Sequence, residues 1–136
     1  MPVHTMNPDG LFRPAMYSQL AVATGQRTVF VAGQAPLDAD GELVGSGDLA
    51  AQTEQAFRNV ARALAAAGTG FQDVGRLTIY LVGFGASTLE QLGAGFARAA
   101  DAIGANVAPR PVTMLVVSAL GGPDQLVEIE ATAVLP

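Results

Sequence analysis

An arginine stands between two prolines in the stretch "VAPRPVTMLVV", just before a run of apolar residues. Pro111 biases Arg110 away from the α conformation and Pro109 fixes its own φ, so the guanidinium is carried on a stiff backbone. The fork of N–H donors on a guanidinium matches a carboxylate in a bidentate way. Arg110 is therefore a candidate for holding a small anionic substrate, and a salt bridge at a strand entrance is the structural alternative.

Two carboxylates alternate with apolar residues near the C-terminus. In "VEIEATAV", Glu128, Glu130 and Thr132 have the same parity and so share one face of the predicted strand. A solvated face explains this pattern, and so does a covered face on which each carboxylate is paired or hydrogen-bonded. The preceding strand "VTMLVV" is almost wholly apolar, which favours a central, covered position. Arg110 would then lie near a carboxylate, either as a structural pair or as a site in which arginine holds a ligand and glutamate handles a water.

Tyr17 and Gly33 are two further candidates. Tyr17 begins the first predicted strand, where it is either a half-buried packing residue or a ligand contact. Gly33 lies in the strand-end turn "AGQAP", where its backbone could approach a ligand, although glycine and proline are also the ordinary residues of a turn.

Composition excludes most other site chemistry. The chain has no cysteine, and its one histidine, His4, lies in residues 1–12, which we expect to be flexible, so thiolate sites and histidine triads are excluded. All 7 basic residues are arginine, which leaves no lysine for Schiff-base or P-loop chemistry. A net charge of −5 argues against nucleic acid as a partner. With no apolar stretch long enough for a membrane span, we expect a soluble cytoplasmic protein.

The helices have clear boundary signals. Asp48 is a predicted N-cap for a helix that Gly68 ends, and a stripe at helical spacing forms its apolar face: Leu49, Ala56, Phe57, Val60, Ala61 and Leu64. A second helix begins at "STLE", where Ser87 and Glu90 match a capping box, and ends near Gly104. Its interior glycines, at 93 and 95, predict a close approach to that face by the sheet or by a ligand.

The strands complete the predicted architecture of one domain over residues 1–136. Residues 17–24 and 28–36 predict a hairpin, "ELV" a possible short edge strand, and "VGRLTIYLVGF" a strand with one face on a helix. Two long strands, "RPVTMLVVSAL" and "QLVEIEATAVL", follow around the turn "GGPD". This order predicts an α+β sandwich with one mostly antiparallel sheet and two helices on one face. The other face would be exposed in a monomer, so we expect self-association.

The ordered combination of motifs resembles the Rid family, the reactive intermediate deaminases also called YjgF-like or L-PSP proteins. The resemblance covers nearly the whole chain, and the motifs that carry it are "MYSQLAVATGQRTVFVAGQAPLDADGELVG", "DLAAQTEQAFRNVARALAAAG", "DVGRLTIYLVGF", "PRPVTMLVVSAL" and "VEIEATAV". It implies a chorismate-mutase-like fold assembled as a homotrimer, with clefts at the subunit interfaces.

The resemblance also implies an activity and roles for residues. The activity would be cofactor-independent hydrolysis of enamine and imine intermediates, of the 2-aminoacrylate type, to 2-keto acids and ammonia. Arg110 would clamp the substrate carboxylate, and Glu128 would orient and help activate the attacking water. Tyr17 would line the cleft, and the backbone of Gly33 would contact the ligand.

Three positions depart from the family pattern. Ala32 replaces the usual hydroxyl residue before Gly33, Val112 replaces a frequent cysteine, and Gly93 stands where the second helix usually has asparagine. The loop "ALGGPDQLVE" is also longer than usual. These changes predict a less polar and roomier cleft in a divergent member. They keep two alternatives open, a non-catalytic trimer that binds keto acids and a hydrolase for another small carboxylated substrate. Ribonuclease activity, which the name L-PSP suggests, fits poorly with the negative charge.

Overall fold

The computed structural model describes residues 2–104 and 108–136. The strands are β1 (Val3–Met6), β2 (Leu20–Ala23), β3 (Arg27–Gln34), β4 (Val74–Val82), β5 (Val112–Val117) and β6 (Val127–Leu135). The helices are α1 (Leu49–Ala66) and α2 (Thr88–Ile103), and a short 3-10 helix (Phe71–Asp73) precedes β4. No helix within these two ranges is long and apolar enough to cross a membrane.

Four strands form the main sheet in the order β3-β6-β4-β5. The pairs β3/β6 and β6/β4 are antiparallel, whereas β4/β5 is parallel. Helix α1 packs against α2 and against β3 and β6, so the two helices cover one face of the sheet. The predicted α+β architecture with two helices on one face is confirmed.

Alternation along β6 divides the sheet into a core face and an open face. Residues at odd positions from Val127 to Leu135 are buried, and those at even positions are half-buried. The odd positions pack with the apolar side of α1, including Phe57, Val60 and Leu64. The even positions therefore put Glu128 and Glu130 on the face that no helix covers, as their shared parity predicts.

Both helix boundaries follow the sequence signals, but one cap differs from the prediction. The Asp48 side chain accepts a hydrogen bond from the Ala51 amide at 3.1 Å, as an N-cap does. Helix α2 ends at Gly104, which has the left-handed φ of 67° that favours glycine. The predicted capping box is wrong, because the Ser87 side chain makes no cap bond; its hydroxyl instead accepts a hydrogen bond from the side-chain Nε2 of Gln91 at 2.8 Å.

The two glycines of α2 face different neighbours. A Cβ at Gly95 would lie 2.5 Å from the carbonyl oxygen of Ala50 and 2.6 Å from Cβ of Thr53, so Gly95 permits close packing of α2 on α1. A Cβ at Gly93 would lie 3.4 Å from Cε of Met16. The predicted close approach is therefore made by a helix rather than by the sheet, and at Gly93 by the segment before β2.

The N-terminal strands pair differently from the prediction. The hairpin expected between residues 17–24 and 28–36 is wrong, because β2 pairs with β1 and β3 pairs with β6. Strand β1 lies within the segment that we expected to be flexible, and it is ordered by pairing with β2 and by burial of Val3. The possible strand at "ELV" is reduced to one bridge between Leu37 and Leu43.

The strand after Pro111 is at an edge and not in the centre of the sheet. The crossover through α2 places β5 parallel to β4, and the loop at 118–126 then carries the chain to the other side of β4, where β6 pairs. The prediction of a central, covered β5 is therefore wrong. Its apolar side chains are exposed, with Val116 at 57% and Leu115 at 44%.

Candidate active site

The proline-flanked arginine is fixed at the start of β5 by its backbone. The carbonyl of Pro111 accepts from the Leu77 amide of β4 at 2.9 Å. Ser18 binds the same segment twice: its amide donates to the Arg110 carbonyl at 3.1 Å, and its hydroxyl donates to the Pro109 carbonyl at 2.6 Å. The two prolines have no N–H to donate, and in each of these three hydrogen bonds a carbonyl group of the segment is the acceptor.

The guanidinium of Arg110 is buried, with 6% of the residue exposed. Its Nε donates to the Ala108 carbonyl at 3.1 Å, and Nη1 donates to the carbonyls of Gln72 at 3.2 Å and Val74 at 3.5 Å. Burial lowers the pKa of Arg110, and the negative charge of Asp73 opposes that shift. Within residues 2–104 and 108–136, no carboxylate lies within salt-bridge distance of this cation. The site therefore holds a positive charge on neutral partners, which is a suitable environment for an anion.

A cavity of about 320 Å³ lies beside this segment. Tyr17 lines it together with Arg76, Pro111 and Val112. Arg110 itself does not line this cavity, because its guanidinium donates to backbone carbonyls elsewhere. Val112 packs partly against the hydrophobic core, and as a valine it presents no polar group to the cavity.

Glu128 lies at the beginning of β6, opposite Tyr80 of β4. A Cβ at position 33 would overlap Oε2 of Glu128, so the carboxylate occupies space that only glycine leaves open. Its Oε1 accepts a hydrogen bond from Nε2 of Gln125 at 3.1 Å. Gly33 and Glu128 are therefore brought together, as members of one site would be.

Arg110 and Glu128 are not close within one chain, which corrects the expectation that the arginine lies near a carboxylate. Val112 pairs with Leu77 and Glu128 pairs with Tyr80. Arg110 is two residues before Val112, and Tyr80 is three residues after Leu77, so five positions along β4 separate the two side chains. At about 3.3 Å per residue this separation along the strand direction is about 17 Å.

A polar cluster occupies the open face of the sheet. The Tyr80 hydroxyl donates to Oε1 of Glu130 at 2.7 Å. This hydrogen bond raises the pKa of Tyr80, burial and the charges of Glu130 and Glu128 raise it further, and Arg76 opposes the shift. The cluster borders a cavity of about 650 Å³ that Ala32 also lines.

The model of the family described as Endoribonuclease L-PSP matches residues 12–135. The chain belongs to this family. A Rid family protein of unknown function from Yersinia pestis is 36% identical, and its crystal structure matches with a TM-score of 0.86 over 99% of this chain and 100% of that one. The crystal structure of E. coli TdcF with bound serine is 26% identical, with a TM-score of 0.67 over 100% of this chain and 99% of that one.

Sequence relatives give the same family for a shorter region. A RutC family protein from Pyrococcus abyssi is 42% identical over 66 residues, which is 48% of this chain and 50% of the relative. The chain spans about half the length of the curated relatives it matches. Membership of the Rid, or YjgF-like, family is therefore confirmed.

The predicted site residues of this Rid chain thus form two groups, with two residues apart from them. Tyr17 and Val112 lie with the segment of Arg110, and Gly33 lies with Glu128. Ala32 lines the cavity on the open face, and Gly93 lies on α2 against Met16. Among the described residues, no group of three or more histidine, aspartate or glutamate side chains could hold a metal ion.

Sequence reasoning missed two glutamines that organise the Glu128 group. Gln125 binds Glu128 directly, and Gln52 of α1 binds the loop that contains Gln125. The unusual length of "ALGGPDQLVE" was the signal available for Gln125. Gln52 had no signal, because an amide on a helix carries neither charge nor apolar periodicity.

Proposed function

We propose that this Rid protein hydrolyses small carboxylated enamines and imines to 2-keto acids and ammonia without a cofactor. The observation that carries the proposal is the buried guanidinium of Arg110. In the described part of the chain its hydrogen-bond partners are carbonyl groups, and no carboxylate forms a salt bridge with it. A substrate carboxylate would supply the missing negative charge and replace the long contact to the Val74 carbonyl. The bound serine of TdcF supports a ligand of this class, since serine carries a carboxylate next to an amino group.

The proposed reaction needs little beyond positioning. The enamine tautomerises to an imine, whose carbon is electrophilic once the nitrogen is protonated. Water adds to that carbon while Glu128 accepts its proton, and the resulting carbinolamine loses ammonia to leave the ketone. Arg110 holds the substrate by its carboxylate, so the imine carbon lies at a fixed position relative to the water held by Glu128.

We propose that the complete site forms between two copies of the chain in a homotrimer. One copy would supply Arg110 and Tyr17, and its neighbour would supply Gly33 and Glu128, because about 17 Å separates Arg110 from Glu128 within one chain. Exposed apolar residues on edge strand β5 and Phe30 on the open face, which is 80% exposed, support association of these surfaces.

The activity is tested by generating 2-aminoacrylate with a dehydratase and measuring pyruvate formation. The wild-type protein should accelerate it, and Arg110→Ala should lower kcat/KM by about 100-fold or more, since hydrogen bonds between charged groups contribute about 1.5–3 kcal/mol each. Arg98→Ala on the exposed side of α2 is the control and should keep full activity. Wild-type traces that coincide with the protein-free reaction would refute the deaminase.

The shared site is tested by mixing two inactive variants. Arg110→Ala and Glu128→Gln, unfolded and refolded together in equal amounts, should recover about a quarter of the wild-type activity, because that fraction of interfaces in a random trimer combines both intact residues. Each variant refolded alone is the control. A mixture that stays as inactive as its components would show that one chain contains the whole site.

A binding protein without turnover is the second candidate. Gly93 is covered by Met16 and Val112 packs against the core, so neither position offers the polar group that the family pattern predicts. Calorimetry with 2-keto acids should then show binding that Arg110→Ala removes, while the pyruvate assay shows no acceleration. Absence of heat for wild-type protein with these acids would exclude this candidate.

A further inference from the structure

We propose that Gln125 is a positioning residue that sets the direction of the Glu128 carboxylate. Gln125 is buried, with 5% exposed, and it lies three residues before Glu128 in the loop that leads into β6. The catalytic consequence of this role rests on the proposed function, whereas the structural part does not.

The orientation of the Gln125 amide is determined by its neighbours. Its oxygen accepts from the Gly122 amide at 3.2 Å, and its nitrogen donates to the Val127 carbonyl at 3.1 Å. Exchanging the amide oxygen and nitrogen would place two donors at Gly122 and two acceptors at Val127, so only one orientation is satisfied. The remaining N–H is then aimed at Oε1 of Glu128, which it meets at 3.1 Å.

The loop that carries Gln125 is held from the side of α1. Gln52 is fully buried, with 0% exposed, and its nitrogen donates to the carbonyls of Asp124 at 3.0 Å and Gly45 at 3.1 Å. Its oxygen accepts from the Leu126 amide at 2.8 Å. The residues on both sides of Gln125, Asp124 and Leu126, are therefore hydrogen-bonded to α1. This anchoring keeps the backbone of Gln125 in place if the Glu128 carboxylate moves.

Two contacts define the position of the carboxylate. Gln125 binds Oε1, and the missing side chain of Gly33 leaves the space that Oε2 fills. A carboxylate held in this way keeps its other lone pairs free to bind a water molecule. Gln125, which does not itself react, fixes the angle at which those lone pairs are presented.

Two variants separate positioning from anchoring of the loop. Gln125→Leu removes all three hydrogen bonds. Gln125→Glu keeps an acceptor for Gly122 but removes the donor and places a second negative charge beside Glu128. If Gln125 only anchored the loop, the glutamate variant would be the more active of the two. A positioning role predicts that it is at least as impaired as the leucine variant.

The measurement is the pyruvate assay, with kcat and KM determined separately. Both variants should lose about 100-fold in kcat with KM within about twofold of wild type, because misplacing a reacting group by about 1 Å costs that much and the Arg110 clamp is unchanged. Gln91→Leu removes a side-chain amide whose one hydrogen bond among the described residues is to the Ser87 hydroxyl, and it should leave kcat unchanged. A raised KM with normal kcat, or a glutamate variant more active than the leucine variant, would overturn the proposal.

Crystal structures of wild type and Gln125→Leu test the inference without turnover. The Glu128 carboxylate should leave its place beside Gly33 in the variant. If the wild-type protein has no deaminase activity but the carboxylate moves, the proposed function fails and the positioning role stands. If the carboxylate stays in place, the positioning role is refuted whatever the activity.

Discussion

The two ends of the candidate site, at the starts of β5 and β6, hold opposite charges by different means. At the start of β5, the guanidinium of Arg110 is surrounded by backbone carbonyls, and the strand that follows is an exposed edge. At the start of β6, Glu128 is held by a buried side-chain amide, and the strand that follows is central in the sheet. Backbone carbonyl groups are present whatever the side chains are. A side-chain amide, in contrast, requires a glutamine or asparagine at that position of the sequence.

This difference teaches where substitutions change geometry without unfolding the chain. The groups that the Arg110 guanidinium contacts are main-chain carbonyls, so a neighbouring substitution has little direct effect on them. The surroundings of Glu128 depend on the side chains of Gln125 and Gln52 and on the missing side chain of Gly33. We therefore expect substitutions near Glu128 to separate activity from stability.

The largest expected effect of this kind is that of Gly33→Ala. The new methyl group would displace only the end of the flexible Glu128 side chain, so kcat should fall by about 100-fold while the free energy of unfolding changes by less than about 0.5 kcal/mol.

Gly95→Ala is the matched control for that substitution. Its Cβ would meet the backbone of Ala50, which cannot turn away, so the substitution should destabilise the protein by about 1–3 kcal/mol. The pyruvate assay and denaturant unfolding measure both variants. If Gly33→Ala were as destabilising as Gly95→Ala and remained active, the contrast between the two ends would fail.

A smaller effect is expected from two adjacent residues of α1. Gln52→Leu removes the Gln52 hydrogen bonds to the Asp124 carbonyl and the Leu126 amide, whereas the Gly45 carbonyl keeps its bond from the Asp48 amide; the free energy of unfolding should fall by about 2 kcal/mol or more. Thr53 is the matched control, because its buried hydroxyl has no hydrogen-bond partner among the described residues.

Thr53→Val should therefore raise the free energy of unfolding by about 1 kcal/mol, since a methyl group replaces an unsatisfied hydroxyl of the same shape. Denaturant midpoints measured side by side check both residues of α1. Equal losses in Gln52→Leu and Thr53→Val would show that the amide network contributes nothing beyond packing.

The smallest effect concerns Tyr80, between the two ends. Its hydrogen bond to Glu130 raises the pKa of the phenol above 10.0, which favours the neutral form in the folded state. The resulting stabilisation of the folded protein is fully present below the pKa that Tyr80 has in the unfolded chain. It is lost as the pH rises through the pKa of Tyr80 in the folded protein. Phenolate absorbance in a Tyr17→Phe background should show a lower pKa for Tyr80 after Glu130→Gln. An unchanged titration would contradict the assigned hydrogen bond.

Local signals in the sequence predicted the parts of the fold that depend on local physics. Asp48 and Gly68 delimit α1 because capping is decided within a few residues, and the alternation around Ile129 is decided by the pleat of one strand. The predicted pairing of residues 17–24 with 28–36 was wrong, because strand pairing depends on residues far apart in the chain. The apolar run after Pro111 has the same composition whether its strand is central or at an edge.

The candidate site was predictable by residue type but not by arrangement. The chemistry of Arg110 and Glu128 follows from their side chains and from the family motifs. Their separation follows from the register of β5 and β6 along β4, which no local pattern contains. Gln52 and Gln125 were missed because a neutral amide gains its importance only from the groups that the fold places around it.

The pair Gln52 and Gln125 also has a consequence for acid and alkaline conditions. An amide neither gains nor loses a proton across the range in which carboxylates, imines and ammonia change charge. The framework around Glu128 therefore keeps the same shape while the reacting groups titrate. The dependence of activity on pH should consequently report on the groups that exchange protons. The amides of Gln52 and Gln125 should not add to it.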